Sequence, residues 1–344
     1  NFHGCRITNL YKYPLMPIER PKKKMIYIDR EINGLKDLLQ LIYDHPITNG
    51  TDYNINMRAL HEIKEPLEQL NKMIGMKSLK TNVVDQVMYF LQDLHKVNDK
   101  HDDFLHTVIY GPPGTGKTEV AKLLGNIFSR IGVLKKRYFK KVTRADLIGG
   151  YLGQTALKTR DVIKEALGGV LFIDEAYALG NVEKRDSFSK ECIDTLCEGL
   201  SDNKNNLMVI IAGYEEELKK CFFEYNQGLE SRFVWRFKTD DYNAKELKQI
   251  FEKKVSDAKW SLNHDIDVKW FEKNKQYFIY YGRDMETLFS KTKIAHARRV
   301  FCKSKEEKTI LTINDMEAGF KIYLANDEVK KRAEENSFNR SMYL

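Results

Sequence analysis

Five short, continuous apolar runs punctuate the middle of the chain: Thr107 to Tyr110, Tyr138 to Val142, Val170 to Ile173, Leu207 to Ala212 and Val234 to Phe237. Runs without polar alternation predict strands buried on both faces, as in a parallel sheet. Between them, helical patterns lie near Lys117 to Ile131, Ala156 to Leu167, Phe188 to Leu200 and Glu215 to Phe223, and Gly168-Gly169 marks a helix stop. Strands and helices in alternation imply an α/β fold, a parallel sheet covered by helices on both faces. After Ala244 the strand runs largely disappear, and helices are expected around Lys245 to Trp260, Asp284 to Lys303 and Asn314 to Leu324, a second and smaller helical domain. Upstream, Met25 to Ile28 reads as a strand and Leu35, Leu38, Leu39 and Ile42 as one face of a helix. His45 to Asn54 reads as a loop, and Leu60 to Leu94 as helical with breaks near Pro66 and at Gly75.

With 344 residues the chain is long enough for two or three domains, and 42% hydrophobic against 31% charged residues describes a soluble globular protein. No apolar run approaches the length of a membrane span, and residues 1–24 carry no signal-peptide or transit pattern. Cys5, Cys192, Cys197, Cys221 and Cys302 are scattered and odd in number, so a reducing compartment is expected, with each thiol a small buried apolar group. The net charge of +8 permits nucleic-acid contact. Lysines are nonetheless spread along the whole chain, and clusters such as Pro21-Lys22-Lys23-Lys24 and Lys135-Lys136-Arg137 read first as solvated surface.

Chemistry concentrates at Gly111-Pro112-Pro113-Gly114-Thr115-Gly116-Lys117-Thr118, between an apolar run and the helical pattern that begins with Glu119. This is a P-loop: its glycines let backbone N–H groups wrap a phosphate chain at a helix N-terminus. Lys117 is assigned to the β- and γ-phosphates and the Thr118 hydroxyl to Mg²⁺. The run Val170 to Ile173 ends in Asp174-Glu175, placed on a parallel sheet at its carboxyl edge, beside the P-loop. Asp174 is expected to hold Mg²⁺ through its water shell, and Glu175 to orient or deprotonate the attacking water.

Taken in order, Gly111 to Thr118, Val170 to Glu175 and the helical region after Ala244 resemble an AAA+ ATPase. The stretches Val142 to Thr155, Gly168 to Tyr177 and Ile211-Ala212-Gly213-Tyr214 are similar to the CbbX type, which also includes stage V sporulation protein K and the ATPases of type VII secretion. The resemblance spans about Leu67 to Leu324. It implies a large α/β ATPase domain at 66–242 and a small helical lid at 243–335, flanked by a mostly helical accessory segment at 1–65 and a tail at 336–344.

The same resemblance implies ATP or ADP held by Pro113, Gly114, Thr115, Gly116, Lys117, Thr118 and Glu119, with Ile74-Gly75 beside the adenine, where an ordinary helix break is the other reading. Tyr151-Leu152-Gly153 matches the pore loop, in which Tyr151 grips an extended polypeptide; the competing reading packs Tyr151 on its own domain. The loop around Glu183 to Asp186 is a candidate second pore loop or a solvated charged turn. Arg232, in Gly228-Leu229-Glu230-Ser231-Arg232-Phe233, matches the arginine finger that reaches a neighbour's γ-phosphate, with Arg236 as competitor and an ion-pair role as alternative. Arg283 matches sensor 2, a phosphate contact made in cis from the lid, against a plain surface arginine. Many relatives carry Asn or Thr at the end of the fourth run; here Ala212-Gly213-Tyr214 stands there, which leaves Tyr214 a weak candidate for sensor 1. The expected function is a Mg-ATP-dependent ring motor, a homo-oligomer and in all expectation a hexamer, that remodels a protein substrate. The alternatives are a nucleic-acid-stimulated motor or loader and a slow nucleotide-switch assembly ATPase.

Overall fold

The computed structural model describes residues 24–96, 104–151, 153–183 and 186–332. Cys5, Lys22, Lys23, Leu152, Lys184, Arg185 and the tail at 336–344 therefore lie outside the described residues. The N-terminal part opens with β1 (Lys24–Ile26), α1 (Leu35–Asp44) and β2 (Thr51–Tyr53), and β1 and β2 pair in parallel with Met25 opposite Asp52. The segment read as a loop from His45 to Asn54 thus contains a short strand, whose pairing partner lies some two dozen residues away in sequence. Next come α2 (Met57–Glu62), α3 (Lys64–Lys72) and α4 (Lys77–Leu91). The first break falls at Ile63, and Pro66 sits inside the first turn of α3, where a missing N–H costs no helical bond.

The central part runs β3 (Thr107–Tyr110), α5 (Lys117–Arg130), β4 (Phe139–Val142), α6 (Arg144–Leu147), α7 (Gln154–Ala166), β5 (Val170–Ile173), α8 (Ser187–Asp202), β6 (Met208–Gly213), α9 (Glu215–Cys221), α10 (Gln227–Arg232) and β7 (Trp235–Lys238). All five of these strands are parallel, in the order β4-β5-β6-β3-β7, so the P-loop strand β3 lies between β6 and β7. Each of these five strands coincides with its predicted apolar run, with ends shifted by a residue at most.

Side chains leave the two faces of the sheet alternately, and the core divides accordingly. Ile109, Phe172, Ile210, Ala212 and Phe237 pack with α4, α5 and the N-terminal helices. Val108, Tyr110, Leu171, Ile173, Val209 and Ile211 pack on the other face with α7, α8 and α10.

The chain ends in α11 (Ala244–Asp257), β8 (Ser261–Leu262), α12 (Val268–Asn274), α13 (Tyr281–Val300), β9 (Ile310–Leu311) and α14 (Ile313–Leu324). Phe251, Phe271, Phe278, Met285 and Leu288 give this helical region its interior, continuous with the apolar cluster that holds α5. The lid helix α13 begins at Tyr281, where the family resemblance opens it and three residues before the start that periodicity gave; the Asp284 carboxylate accepts a hydrogen bond from the Tyr280 N–H at 2.7 Å. Cys192 and Cys197 are buried as expected, but Cys221 is only half-buried and Cys302 is exposed just past the end of α13. Among the described residues no helix is long and apolar enough to cross a membrane.

Candidate functional site

β3 hands the chain to Gly111, whose N–H donates to the Gly213 carbonyl at 3.1 Å and ties the loop to the end of β6. Gly114 (φ +79°) and Gly116 (φ +85°) take left-handed conformations that turn the backbone into the first turn of α5. The N–H groups of that turn have no intrahelical partners, so they and the helix dipole favour an anion. Lys117 is only 5% exposed; its Nζ donates to the carbonyls of Gly111 (2.8 Å) and Pro112 (2.9 Å). Burial lowers its pKa, while the charges of Glu175 and Asp174 work in the opposite direction.

A cavity of about 530 Å³ opens here, a size typical of small-ligand sites. Pro113 to Glu119, Ile74, Asp174, Glu175 and Arg283 all line it, so the residues nominated for phosphate, metal, catalysis and lid contact converge on one space. Gly75 does not line it. It forms the turn behind Ile74 (φ +67°), where a Cβ would lie 2.8 Å from the Tyr242 ring.

The lid meets the P-loop directly. The Gly282 N–H donates to the Gly114 carbonyl at 3.2 Å, and a Cβ on Gly114 would stand 2.4 Å from the Tyr280 carbonyl oxygen and 2.7 Å from the Arg283 nitrogen. Arg283, itself exposed, stands in the first turn of α13 and lines the cavity from the lid side. Tyr242 and Tyr281 pack edge to face at 5.3 Å, and the hydroxyls donate to the Thr115 carbonyl and to Asp241 respectively.

Glu175 holds a left-handed backbone (φ +52°), uncommon for a side chain of this type, and its Oε2 is buried without a hydrogen-bond partner among the described residues. A carboxylate oxygen left in that condition is the kind of group a substrate or ion completes. Asp174 is paired instead, accepting from Lys141 Nζ at 2.6 Å. That pair is partly solvated, worth about 1 kcal/mol or less, and is readily displaced by a divalent cation. The chemistry of the donor set, a hydroxyl at Thr118 and a carboxylate at Asp174 on one cavity wall, therefore fits Mg²⁺.

Several residues at the site were given no role by the sequence. Lys141 looks like any strand lysine, and only the pairing of β4 with β5 brings it to Asp174. Tyr177 follows Glu175 by two residues; burial raises its pKa most, followed by hydrogen bonding to Glu175 and that carboxylate's charge. Its ring also explains the departure at the end of β6, since a Cβ on Gly213 would fall 2.8 Å from it. Tyr214 packs 6.2 Å from the Tyr177 ring, does not line the cavity, and has its pKa pushed up to about 12, mainly by burial.

Other nominated residues lie outside the cavity of their own chain. Arg232 donates from Nε to Ser201 at 2.8 Å and from a terminal nitrogen to the Gly228 carbonyl, with Phe104 beneath its guanidinium. Arg236 is engaged by Glu230 and by the Phe233 carbonyl. Tyr151 is 75% exposed, so it is not packed on its own domain. Its loop is closed by the Gly149 N–H, which donates to Thr155 at 3.1 Å, and by Gly153 (φ +79°) at the start of α7. Glu183 is exposed, whereas Asp186 caps α8.

A parallel sheet that carries a P-loop after β3 and an acidic pair after β5, two strands away across β6, with a helical lid over the loop, defines a nucleotide hydrolase of the AAA type. Residues 107–233 match the ATPase family associated with various cellular activities (AAA). The cfxQ-like protein R730 of Acanthamoeba polyphaga mimivirus is 41% identical over 296 residues, 85% of this chain and 71% of that protein. Protein CbbX of Cereibacter sphaeroides is 32% identical over 263 residues, 73% of this chain and 84% of the relative. The FIGL-1 AAA domain in complex with ADP shares the fold, with a TM-score of 0.53 at 19% identity over 73% of this chain and 82% of that one. The chain belongs to the AAA+ ATPases of the CbbX and stage V sporulation protein K type, and it is a nucleotide-binding ATP hydrolase.

Proposed function

We propose that this ATPase assembles into a closed ring, a hexamer, that pulls on a protein substrate through its centre. The observation that carries the reading is Tyr151, an aromatic side chain left 75% exposed at the tip of a tightly closed loop on a nucleotide-driven fold. A lone exposed aromatic is ordinary on a protein surface; this one is set apart by the braced loop that presents it and by its match to a pore-loop motif. In this reading the large α/β domain is 66–242 and the lid 243–335. Lys117 and Arg283 bind phosphate, Ile74 flanks the base, Glu175 activates water, and Tyr151, Leu152 and Gly153 contact the substrate. Mg²⁺, held by Thr118 and Asp174, would offset phosphate charge when bound. Arg232 lies outside its own chain's cavity, which supports a role at a neighbour's site; head-to-tail contacts of that kind close into rings.

Two measurements test this. Tyr151→Ala is expected to keep ATP turnover within about twofold while losing the ability to remodel a client recovered on a stalled Glu175→Gln ring. Turnover stimulated by DNA in a salt-sensitive manner, and not by polypeptide, would instead favour a nucleic-acid motor. Tyr177→Phe removes the hydroxyl beside Glu175 and is expected to lower kcat about tenfold with KM unchanged, as loss of a hydrogen bond to a charged group does. An unaltered kcat in steady-state assays sinks that role for Tyr177.

A further inference from the structure

Beyond the nucleotide cavity, one side chain joins three segments. Arg144, the first residue of α6, donates from one terminal nitrogen to the carbonyls of Ala178 (2.9 Å) and Leu179 (3.1 Å) and to the Ser189 hydroxyl (3.0 Å). Its other terminal nitrogen donates to Asp186 at 2.7 Å. Ala178 and Leu179 lead into the loop at 180–186, and Asp186 and Ser189 lead out of it into α8, so a single guanidinium fastens both ends of that loop. Asp186 is committed to this arrangement, accepting also from the Ser189 hydroxyl at 2.6 Å and the Phe188 N–H at 3.0 Å.

On its other side Arg144 belongs to a braced unit. Thr143 and Asp146 form a capping box at the start of α6. The Lys158 ammonium donates to the carbonyls of Ala145 and Ile148, and the Thr159 hydroxyl to the carbonyl of Leu147. Together with the Gly149–Thr155 bond, these contacts bind α6, the Tyr151 loop and α7 into one body. The two loops fastened at Arg144 each present an exposed apolar side chain, Tyr151 on one and Val182, 70% exposed, on the other.

We infer that Arg144 is the positioning residue through which the nucleotide site moves the Tyr151 loop, making that loop and the 180–186 loop a single moving part. The inference rests on the functional reading above. Ala178 and Leu179 follow the left-handed Glu175 by three and four residues, within the turn at 176–179. A change in backbone at Glu175 therefore displaces the carbonyls that Arg144 holds, and α6 follows. The planar guanidinium reaches four acceptors at once, which the point charge of a lysine does not reproduce. Arg144 does not line the nucleotide cavity; it borders an adjoining cavity that Asp174 and Glu175 also line, but its own side chain is spent on the four acceptors above, so its removal takes away neither catalytic carboxylate nor phosphate ligand.

The test is hydrogen exchange followed by mass spectrometry on the full chain, comparing ADP with a non-hydrolysable ATP analogue, each with Mg²⁺. Peptides covering 146–156 and 176–190 are both expected to differ between the two states in the wild type. In Arg144→Ala and Arg144→Lys the difference at 176–190 persists, while that at 146–156 shrinks at least about threefold, with basal ATP turnover held within about twofold. A thermal melt checks that each variant folds. If Arg144→Ala does not, Asp186→Asn, which spares the carbonyl contacts, is expected to show the same selective loss to a smaller degree. An undiminished difference at 146–156 in a folded Arg144 variant, or in Asp186→Asn where that must stand in, overturns the link. A wild type in which neither peptide responds to nucleotide overturns it as well. Response of both peptides, combined with a Tyr151→Ala ring that still remodels its client, would sink the substrate grip and leave the link standing.

Discussion

Replacing Glu175 by glutamine is expected to cut ATP turnover by about 10²–10⁴-fold while leaving nucleotide affinity nearly unchanged, the pattern of a lost general base. The amide keeps the size of the carboxylate, so the backbone at φ +52° and the cavity wall should persist. What it lacks is the capacity to take a proton at the buried Oε2, the atom left without a partner among the described residues. Steady-state hydrolysis beside a fluorescent-nucleotide titration separates the two quantities. Ordinary turnover with intact binding would show that another group activates the water.

Gly114→Ala is expected to weaken nucleotide binding at least about tenfold, equivalent to roughly 1.4 kcal/mol, and to lower the melting temperature. Two costs combine. The left-handed backbone disfavours any Cβ by about 1–2 kcal/mol, and the new atom would meet the Tyr280 carbonyl at 2.4 Å and the Arg283 nitrogen at 2.7 Å. Both obstacles are backbone, so no flexible side chain yields, and the lid helix must retreat with Arg283. Gly132→Ala is the matching control: φ is +80° there, yet a Cβ meets nothing within 4 Å. It should reproduce the backbone cost without the loss of affinity. Equal affinity losses in both variants would mean that contact between lid and P-loop does not govern binding.

The parts of this site that could be read in advance are those whose chemistry is local. Gly111 to Thr118 carries its own turn geometry, and Val170 to Glu175 carries both the burial of its strand and the carboxylates that follow it. Lys141, Tyr177 and Tyr242 gave no such signal, because their significance depends on which strands adjoin and where the lid comes to rest. β2 was hidden for a related reason: three residues of moderate polarity become a strand only through pairing with β1. Arg283 and Tyr151 were nominated by family likeness, and spacing alone did not distinguish them from surface residues. The lid helix begins earlier than periodicity indicated because Asp284 satisfies an N–H upstream of it, a hydrogen bond that hydrophobic pattern does not encode.

The alternation of side chains through the central sheet has a consequence for how such a protein diversifies. Ile109, Phe172 and Ile210 send their bulk to the face shared with α5 and the lid, whereas Val108, Leu171 and Ile211 send theirs to the face beneath α7 and α8. Residues with no shared partners contribute to stability almost independently. Substitutions at the exposed tips of the loops around Tyr151 and Val182 are thus screened by the sheet from the packing that seats the nucleotide, so long as the Arg144 contacts that join those loops to the turn after Glu175 are kept. A lineage can retune one surface for new tasks while inheriting the energy-converting half unchanged.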